Sequence, residues 1–235
     1  MEKPLSYLTV FFPAYNDEKT IGDLVHKAFR ILPNVAERYE VIVINDGSAD
    51  NTKSVLRQLS QKYKNFKIVT HSQNRGYGGA LKSGFKSARG DFIFYTDGDG
   101  QYDVLELPKL VEKMDSQVDL VNGYKIERHD SPLRIILGEL YALWVRLLLG
   151  IRFADVDCDF RLLRRRILRK ISLTRNSGAI CAEILAKIQK TKGVIASVPV
   201  HHYPRKFGNS QFFRLDRILE TLIDDVWLWR KLRQK

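Results

Sequence analysis

A chain of 235 residues, 44% hydrophobic and 28% charged, is long enough to bury a substantial core as one domain or one domain with an appendage, and its composition excludes a disordered or fibrous protein. The formal net charge of +12 is unevenly placed: residues 1–125 hold 17 Lys and Arg against 16 Asp and Glu, and residues 126–235 hold 22 against 11. A basic second half points to an anionic partner surface, either nucleic acid or the cytoplasmic face of a membrane, unless the charge serves solubility alone.

The first residues, Met1-Glu-Lys-Pro-Leu-Ser-Tyr7, lack the basic segment and apolar run of a signal peptide, so no export is expected. Leu8–Phe12 reads as a short buried strand, followed by a polar turn at Asn16-Asp17-Glu18 and a helical pattern through Ile21, Leu24, Val25 and Ala28. Tyr39–Ile44 is a second strand, ending at Asn45-Asp46-Gly47-Ser48. Thr52–Tyr63 carries Val55, Leu56 and Leu59 at helical spacing, and Phe66–Thr70 is a third strand. Gly78–Ala88 reads as a helix and Asp91–Thr96 as the fourth strand. Strands alternating with helices predict an α/β fold: right-handed crossovers, a mostly parallel sheet and helices on both faces.

In such sheets, ligands bind beyond the carboxyl ends of the strands. Pro13-Ala-Tyr15-Asn-Asp17, Asp46-Gly-Ser48 and Asp97-Gly98-Asp99 fall at the ends of the first, second and fourth strands, and Asn74-Arg-Gly76-Tyr-Gly-Gly79 follows the third. That last segment is neither a Walker loop nor G-x-G-x-x-G, yet it opens a helix, so its amides could meet a phosphate or ribose. Four clusters in register favour one shared nucleotide site over chance turns. Asp97 and Asp99, at i and i+2 after a buried run, would share a side of the chain; with Gly98 and Gly100 allowing a bend, they form an oxygen-rich corner suited to a hard divalent cation. A polar Asp-Gly turn is the plain alternative.

Val10–Glu18, Val43–Thr52, Asn74–Ala80 and Thr96–Gln101, taken in order, resemble the successive motifs of the family 2, GT-A-fold inverting glycosyltransferases. The nearest branch is the dolichyl- or polyprenyl-phosphate mannosyl- and glucosyltransferases, with the resemblance spanning about residues 7 to 211. Asn45 stands where that family often has a second Asp, and Asp17 where Glu is usual. The resemblance implies a Rossmann-like GT-A catalytic domain over 1–211, leaving 212–235 as a separate amphipathic segment, and metal-dependent transfer of a hexose from a GDP- or UDP-linked sugar with Mg²⁺ or Mn²⁺ as cofactor. It puts Pro13, Tyr15 and Asp17 around the nucleobase and Asp46 on the base or ribose. Gly76, Lys82 and Gly98 join the donor site, and Asp97, Asp99 and Gln101 surround the metal. The chemistry is consistent with this: the leaving nucleoside diphosphate is highly charged, and a cation held by one or two carboxylates neutralises that charge as it develops.

Leu133–Leu149 is apolar over most of its circumference, with Arg134, Gly138, Ala142 and Arg146 forming a narrow polar stripe at four-residue spacing. It is too short and too charged to span a bilayer comfortably; a place in the membrane interface, with Tyr141 and Trp144 at the headgroups, suits it better, a buried core helix being the alternative. Asp155-Val-Asp157-Cys-Asp159-Phe160-Arg161 resembles the family's acidic segment ending in Gly-Phe-Arg, with Asp159 in place of the Gly. The resemblance makes Asp157 face the acceptor and Arg161 bind its phosphate; a charge cluster before a basic helix is the competing explanation. Cys158 and Cys181 stand in no metal or redox spacing, as expected of a protein kept in a reducing cytoplasm.

Val198–Ser210 resembles the family's closing loop, which implies that Arg205, Lys206 and Ser210 clamp the donor pyrophosphate. A phosphate acceptor is already anionic near neutral pH and needs no strong base, so His201 and His202 are expected to support the loop. Leu215, Ile218, Leu219, Leu222, Val226 and Trp229 predict an amphipathic helix ending in Arg230-Lys231-Leu-Arg233. With no run of about 20 apolar residues, attachment is expected to be peripheral, at the cytoplasmic face of a membrane, or to depend on a membrane-anchored partner or a homo-oligomer. A glycosyl- or nucleotidyltransferase with a soluble acceptor stays open. Nucleic acid is not an expected partner, because the basic residues accompany large apolar ones and no RNA- or DNA-binding motif is present.

Overall fold

The computed structural model describes residues 4–126, 132–152, 155–207 and 214–234. Strands β1 (Leu5–Ala14), β2 (Ala36–Asn45), β3 (Phe66–Thr70) and β4 (Phe92–Thr96) alternate with helices α1 (Ile21–Val35), α2 (Thr52–Lys62) and α3 (Tyr77–Ser87). A 3₁₀ turn at Val104–Glu106 leads into α4 (Leu107–Lys113), followed by β5 (Leu120–Ile126) and α5 (Pro132–Leu149). The chain continues through β6 (Phe160–Arg164), α6 (Arg165–Leu168), α7 (Ile180–Lys190), β7 (Ile195–His201) and α8 (Leu215–Arg233).

The strands form one seven-stranded sheet in the order β3-β2-β1-β4-β6-β5-β7. β1 pairs in parallel with β2 and β4, as do β2 with β3 and β5 with β7, whereas β6 runs antiparallel to both β4 and β5. The expected α/β architecture with a mostly parallel sheet is therefore the one adopted. Its central strands are covered on both faces, which is why they read as continuous apolar runs rather than alternating ones. Side chains nevertheless alternate in direction. Val10, Phe12, Val41 and Val43 pack with Leu24, Val25 and Leu56 of α1 and α2, while Phe11, Ile42 and Ile44 pack with Ala80, Leu81 and Ile184 of α3 and α7. Each such side chain buried contributes about 1.5–3 kcal/mol.

Register sets the site. Ala14 lies beside Asn45 and Asn45 beside Thr70, so the loops after β1, β2 and β3 leave the sheet at one level. β4, paired with β1 through Phe11 and Tyr95, ends at Thr96, so the Asp97 turn opens beside them.

The second half builds a different surface. α5 and α8 pack on each other. Val145 of α5 and Thr221, Asp225 and Leu228 of α8 face inward, while Ile136, Leu140, Leu143 and Leu147 of α5 and Leu215, Leu219 and Ile223 of α8 are all more than half exposed. The helix expected at the membrane interface is thus neither a core helix nor a spanning one. No helix among the described residues is long and apolar enough to cross a membrane.

Candidate active site

The loops after β1 and β2 are stapled to each other by side chains that cap backbone amides. Asn16 donates its N–H to Ser48 Oγ at 3.0 Å and accepts from Ala49 N at Oδ1 at 2.8 Å. The Asp17 amide donates to Thr52 Oγ1 at 3.0 Å, and Glu18 and Asp50 exchange bonds with the opposite loop. This interlock explains the Asn, Asp, Ser and Thr richness of both segments, since these residues bond backbone groups outside regular structure. It leaves Tyr15 with 37% of its surface exposed at the rim. Asp17 accepts from the Tyr15 amide at 2.9 Å, and burial, reinforced by the Asp99 charge, pushes its carboxyl up to about 7.

Asp97 and Asp99 follow the last residue of β4, so they meet through a turn and not through the two-residue alternation of a strand. Gly98 makes that turn possible: its N–H donates to the Pro13 carbonyl at 3.1 Å, and an added Cβ would sit 2.7 Å from that oxygen. Tyr77, the first residue of α3, donates its hydroxyl to Asp97 Oδ1 at 2.7 Å. Burial pushes Asp97 well above the usual carboxylate range, with the Asp159 and Asp99 charges adding to it. Burial also raises Asp99, whose Oδ1 accepts from the Gln101 amide at 3.0 Å and whose other oxygen is bonded by Arg205. Arg205 Nε is itself buried with no hydrogen-bond partner among the described residues.

This donor set fits a hard divalent cation. Two desolvated carboxylates repel each other, a nearby guanidinium already supplies positive charge, and a cation would relieve both burial and repulsion. Among the described residues no group of three or more His, Cys, Asp or Glu is arranged to enclose an ion. Asp97 and Asp99 would thus hold it with ligand phosphate and water completing the shell, as Mg²⁺ prefers. Gln101, expected in that shell, donates its side-chain N–H to the Tyr203 carbonyl at 3.1 Å, and its backbone carbonyl accepts from Tyr203 N at 2.8 Å; neither bond uses its side-chain oxygen. It ties the 201–207 segment to the Asp99 turn.

Other expected site residues are redirected by hydrogen bonding. Asp46 is 3% exposed and turned inward; its Oδ1 meets His71 Nδ1 at 2.5 Å and accepts from Arg75 N at 2.9 Å, so it shapes the loop before α3 instead of facing a base or ribose. Two further amides of that loop, expected on phosphate, are used internally, Gly76 N by Asn74 Oδ1 at 3.1 Å and Gly78 N by Asn176 O at 2.8 Å. Gly76 adopts φ +80°, and a Cβ there would lie 2.6 Å from the Asn176 carbonyl. Lys82 donates to the Thr174 carbonyl at 3.1 Å and lines, with Lys86 and Arg217, a cavity of about 650 Å³ on the outer flank of α3.

Arg161, expected on the acceptor phosphate, is a core residue. It is fully buried within β6, and all three guanidinium nitrogens are engaged: Nε with Asn122 Oδ1 at 2.7 Å and Cys158 O at 3.1 Å, one amino group with Tyr95 OH and Cys181 O, the other with Val156 O at 2.5 Å. A side chain so satisfied and so far from solvent organises the core and cannot bind an acceptor phosphate. Asp159, in place of Gly, is accommodated without left-handed backbone and accepts from Cys181 Sγ at 3.2 Å. Asp157 lines a cavity of about 390 Å³ with Lys125, Asp155 and the Gly138, Ala142 and Arg146 stripe of α5. Burial pushes its carboxyl up to about 7 against the opposing pull of Lys125. His201 is bonded to Glu106 and supports the end of β7, as expected. Lys206 is exposed beside Arg205, and Ser210 lies outside the described residues. Tyr77 is a site residue that the motifs do not single out; its signal is an aromatic inserted between glycines where a helix begins.

A mostly parallel sheet with paired carboxylates beyond its fourth strand is the frame of a GT-A glycosyltransferase. The family model for glycosyl transferase family 2 matches residues 9–172, and the chain belongs to that family. The fold is similar to that of glucosyl-3-phosphoglycerate synthase from Mycobacterium tuberculosis. In its complex with phosphoglyceric acid the TM-score is 0.74 at 18% identity, over 96% of this chain and 79% of that one. With Mn²⁺, uridine-diphosphate and phosphoglyceric acid bound, the values are 0.74 and 18%, over 96% and 78%. With Mn²⁺ and uridine-diphosphate-glucose they are 0.71 and 18%, over 94% and 79%.

Proposed function

We propose that this glycosyltransferase moves a hexose from a GDP- or UDP-linked sugar to a phosphate-bearing acceptor, with a divalent cation and with inversion at the anomeric carbon. The observation that carries the donor half is the meeting of Asp97, Asp99 and Arg205 in one buried corner at the carboxyl edge of the sheet. Mg²⁺ or Mn²⁺ bound by the two carboxylates would neutralise charge on the departing diphosphate. Both ions occur with uridine-diphosphate in complexes of the similar synthase, which supports the reading. Tyr77 holds Asp97 in place. Arg205, with a buried Nε to offer, would contact the diphosphate, and the Tyr203–Phe207 segment would close over it once Asp99 turns to the metal.

The acceptor half rests on the 390 Å³ cavity, where Lys125 and Arg146 face Glu139, Asp155 and Asp157 beside Gly138 and Ala142 of α5, while the same helix exposes leucines to the outside. That arrangement supports a polyprenyl phosphate taken from the cytoplasmic face of a membrane, with its phosphate in the cavity and its chain along α5 and α8. The phosphate oxygen attacks the anomeric carbon in line, so no strong base is needed. A second reading, transfer to a soluble acceptor, is favoured by the phosphoglyceric acid complexes of the similar synthase. Nucleoside diphosphate release is the test, measured with Mg²⁺ or Mn²⁺ and either donor, against polyprenyl phosphate in vesicles, phosphoglyceric acid, or water alone. Release with the lipid only supports the first reading, release with the soluble phosphate only supports the second, and a protein that neither binds nor cleaves any GDP- or UDP-sugar overturns both.

A further inference from the structure

The segment Thr174–Ser177 lies beyond the residues matched by the family model, yet it is gripped from two helices. From α7, the fully buried Glu183 accepts the Thr174 and Arg175 amides at 3.0 and 2.9 Å and the Thr174 hydroxyl at 2.7 Å. From α8, Asp224 accepts from Arg175 Nη1 at 2.9 Å and from Ser177 Oγ at 2.7 Å, and the Arg175 guanidinium stacks 3.6 Å above the Trp227 ring. Between those grips, Asn176 presents its carbonyl to Gly78 N at 2.8 Å, and Gly76 and Gly78 come so close to Arg175 and Asn176 that neither could carry a Cβ without displacing the backbone. Tyr77, held between these two glycines, donates to Asp97.

We infer that Asp224 is a positioning residue for the donor site: by fixing Arg175 and Ser177 it sets the Asn176 carbonyl, hence the Gly76–Gly78 turn, hence the hydroxyl that orients Asp97. The relay runs through hydrogen bonds and close backbone approaches, and both carboxylate oxygens of Asp224 are used in it. The consequence is that the helix bearing the exposed apolar residues also holds the loop that shapes the metal corner. The functional half of the inference rests on the reading of Asp97 as part of the donor and metal site, and the structural half does not.

The test uses the full chain with Asp224→Ala, the milder Asp224→Asn, Tyr77→Phe, and the Asp224→Ala/Tyr77→Phe pair. Without any ligand, hydrogen–deuterium exchange of the peptide covering 74–82 should rise at least fivefold in Asp224→Ala while strands β1 and β4 stay protected. With Mn²⁺, the KM for the donor sugar nucleotide should rise about tenfold with kcat changed less than threefold, Asp224→Asn falling between. The double variant should be no worse than twofold beyond the poorer single, because both substitutions break one chain of contacts. Unchanged exchange over 74–82 in a folded Asp224→Ala protein overturns the relay whatever the enzyme binds. Raised exchange with an unchanged donor KM, or fully additive effects, overturns the positioning role. Failure of the wild type to bind either nucleoside diphosphate with Mn²⁺ counts against the donor reading and leaves the exchange result to judge the relay.

Discussion

Asp97 and Asp99 are carboxylates that folding has largely removed from water, and their neighbours decide their chemistry. Burial and mutual repulsion disfavour their ionised forms, while Arg205 and the Tyr77 hydroxyl favour them. Asp99→Ala should abolish metal-dependent turnover, by at least about a hundredfold on the scale of lost electrostatic stabilisation, with the melting temperature unchanged or raised. Arg161 makes the opposite case. Arg161→Ala would orphan the Asn122, Cys158, Tyr95, Cys181 and Val156 oxygens at once, so chemical denaturation should report a loss of about 3–5 kcal/mol, the range for uncompensated buried groups. A stable Arg161→Ala protein with only a raised acceptor KM would return this residue to the acceptor site.

Asp225, fully buried on α8 against Tyr141 and Trp144, has its carboxyl pushed up to about 7 by burial, with the Asp157 and Asp224 charges adding to it. An unfolded carboxyl titrates at about 3.9. Between those values the folded protein holds a proton that the unfolded chain has released, so this group lowers stability as pH rises through that window. Asp225→Asn should therefore melt with the wild type near pH 4 and above it at pH 8; a wild type that is the more stable at pH 8 would contradict the assignment.

Elements differ in how plainly their sequence announces them. β1, β2, β3 and β4 were legible because each is an apolar run closed by polar turn residues, and the register that gathers their loops follows from parallel pairing. β5 and β6 are harder to read: Asn122 and Gly123 interrupt one, and two arginines flank the leucines of the other, because Arg161 is solvated by Asn122 and backbone carbonyls inside the core. The hydrogen-bond partners of Asp46, Gln101 and Lys82 are also beyond the sequence, since each lies between 25 and 102 positions away. The sequence of α5 shows an apolar helix with a polar stripe, but only the fold shows that Gly138, Ala142 and Arg146 of that stripe line a cavity and that leucines face out. Leu140→Glu and Leu219→Glu, both at exposed positions, should change stability by no more than about 0.5 kcal/mol, yet abolish cosedimentation with vesicles rich in anionic lipid. Cosedimentation equal to the wild type's would remove these helices from any membrane contact.

At the scale of the molecule, charge and topology divide the labour. The nearly neutral first half builds β5 and the strands whose carboxyl ends meet at Asp97 and Asp99, and the basic second half adds β6 and β7 to the same sheet together with the α5 and α8 surface. Because one sheet runs through both halves, the donor corner and the 390 Å³ cavity sit on a common frame. The proposed function requires the carboxyl edge of this sheet to be a metal-dependent nucleotide-sugar site. Calorimetric titration of the purified chain with UDP and with GDP, with and without Mn²⁺, tests it most directly. Binding of at least one nucleotide that requires Mn²⁺ and disappears in a folded Asp99→Ala variant is the expected result; no binding of either, or binding indifferent to both Mn²⁺ and Asp99, would contradict it.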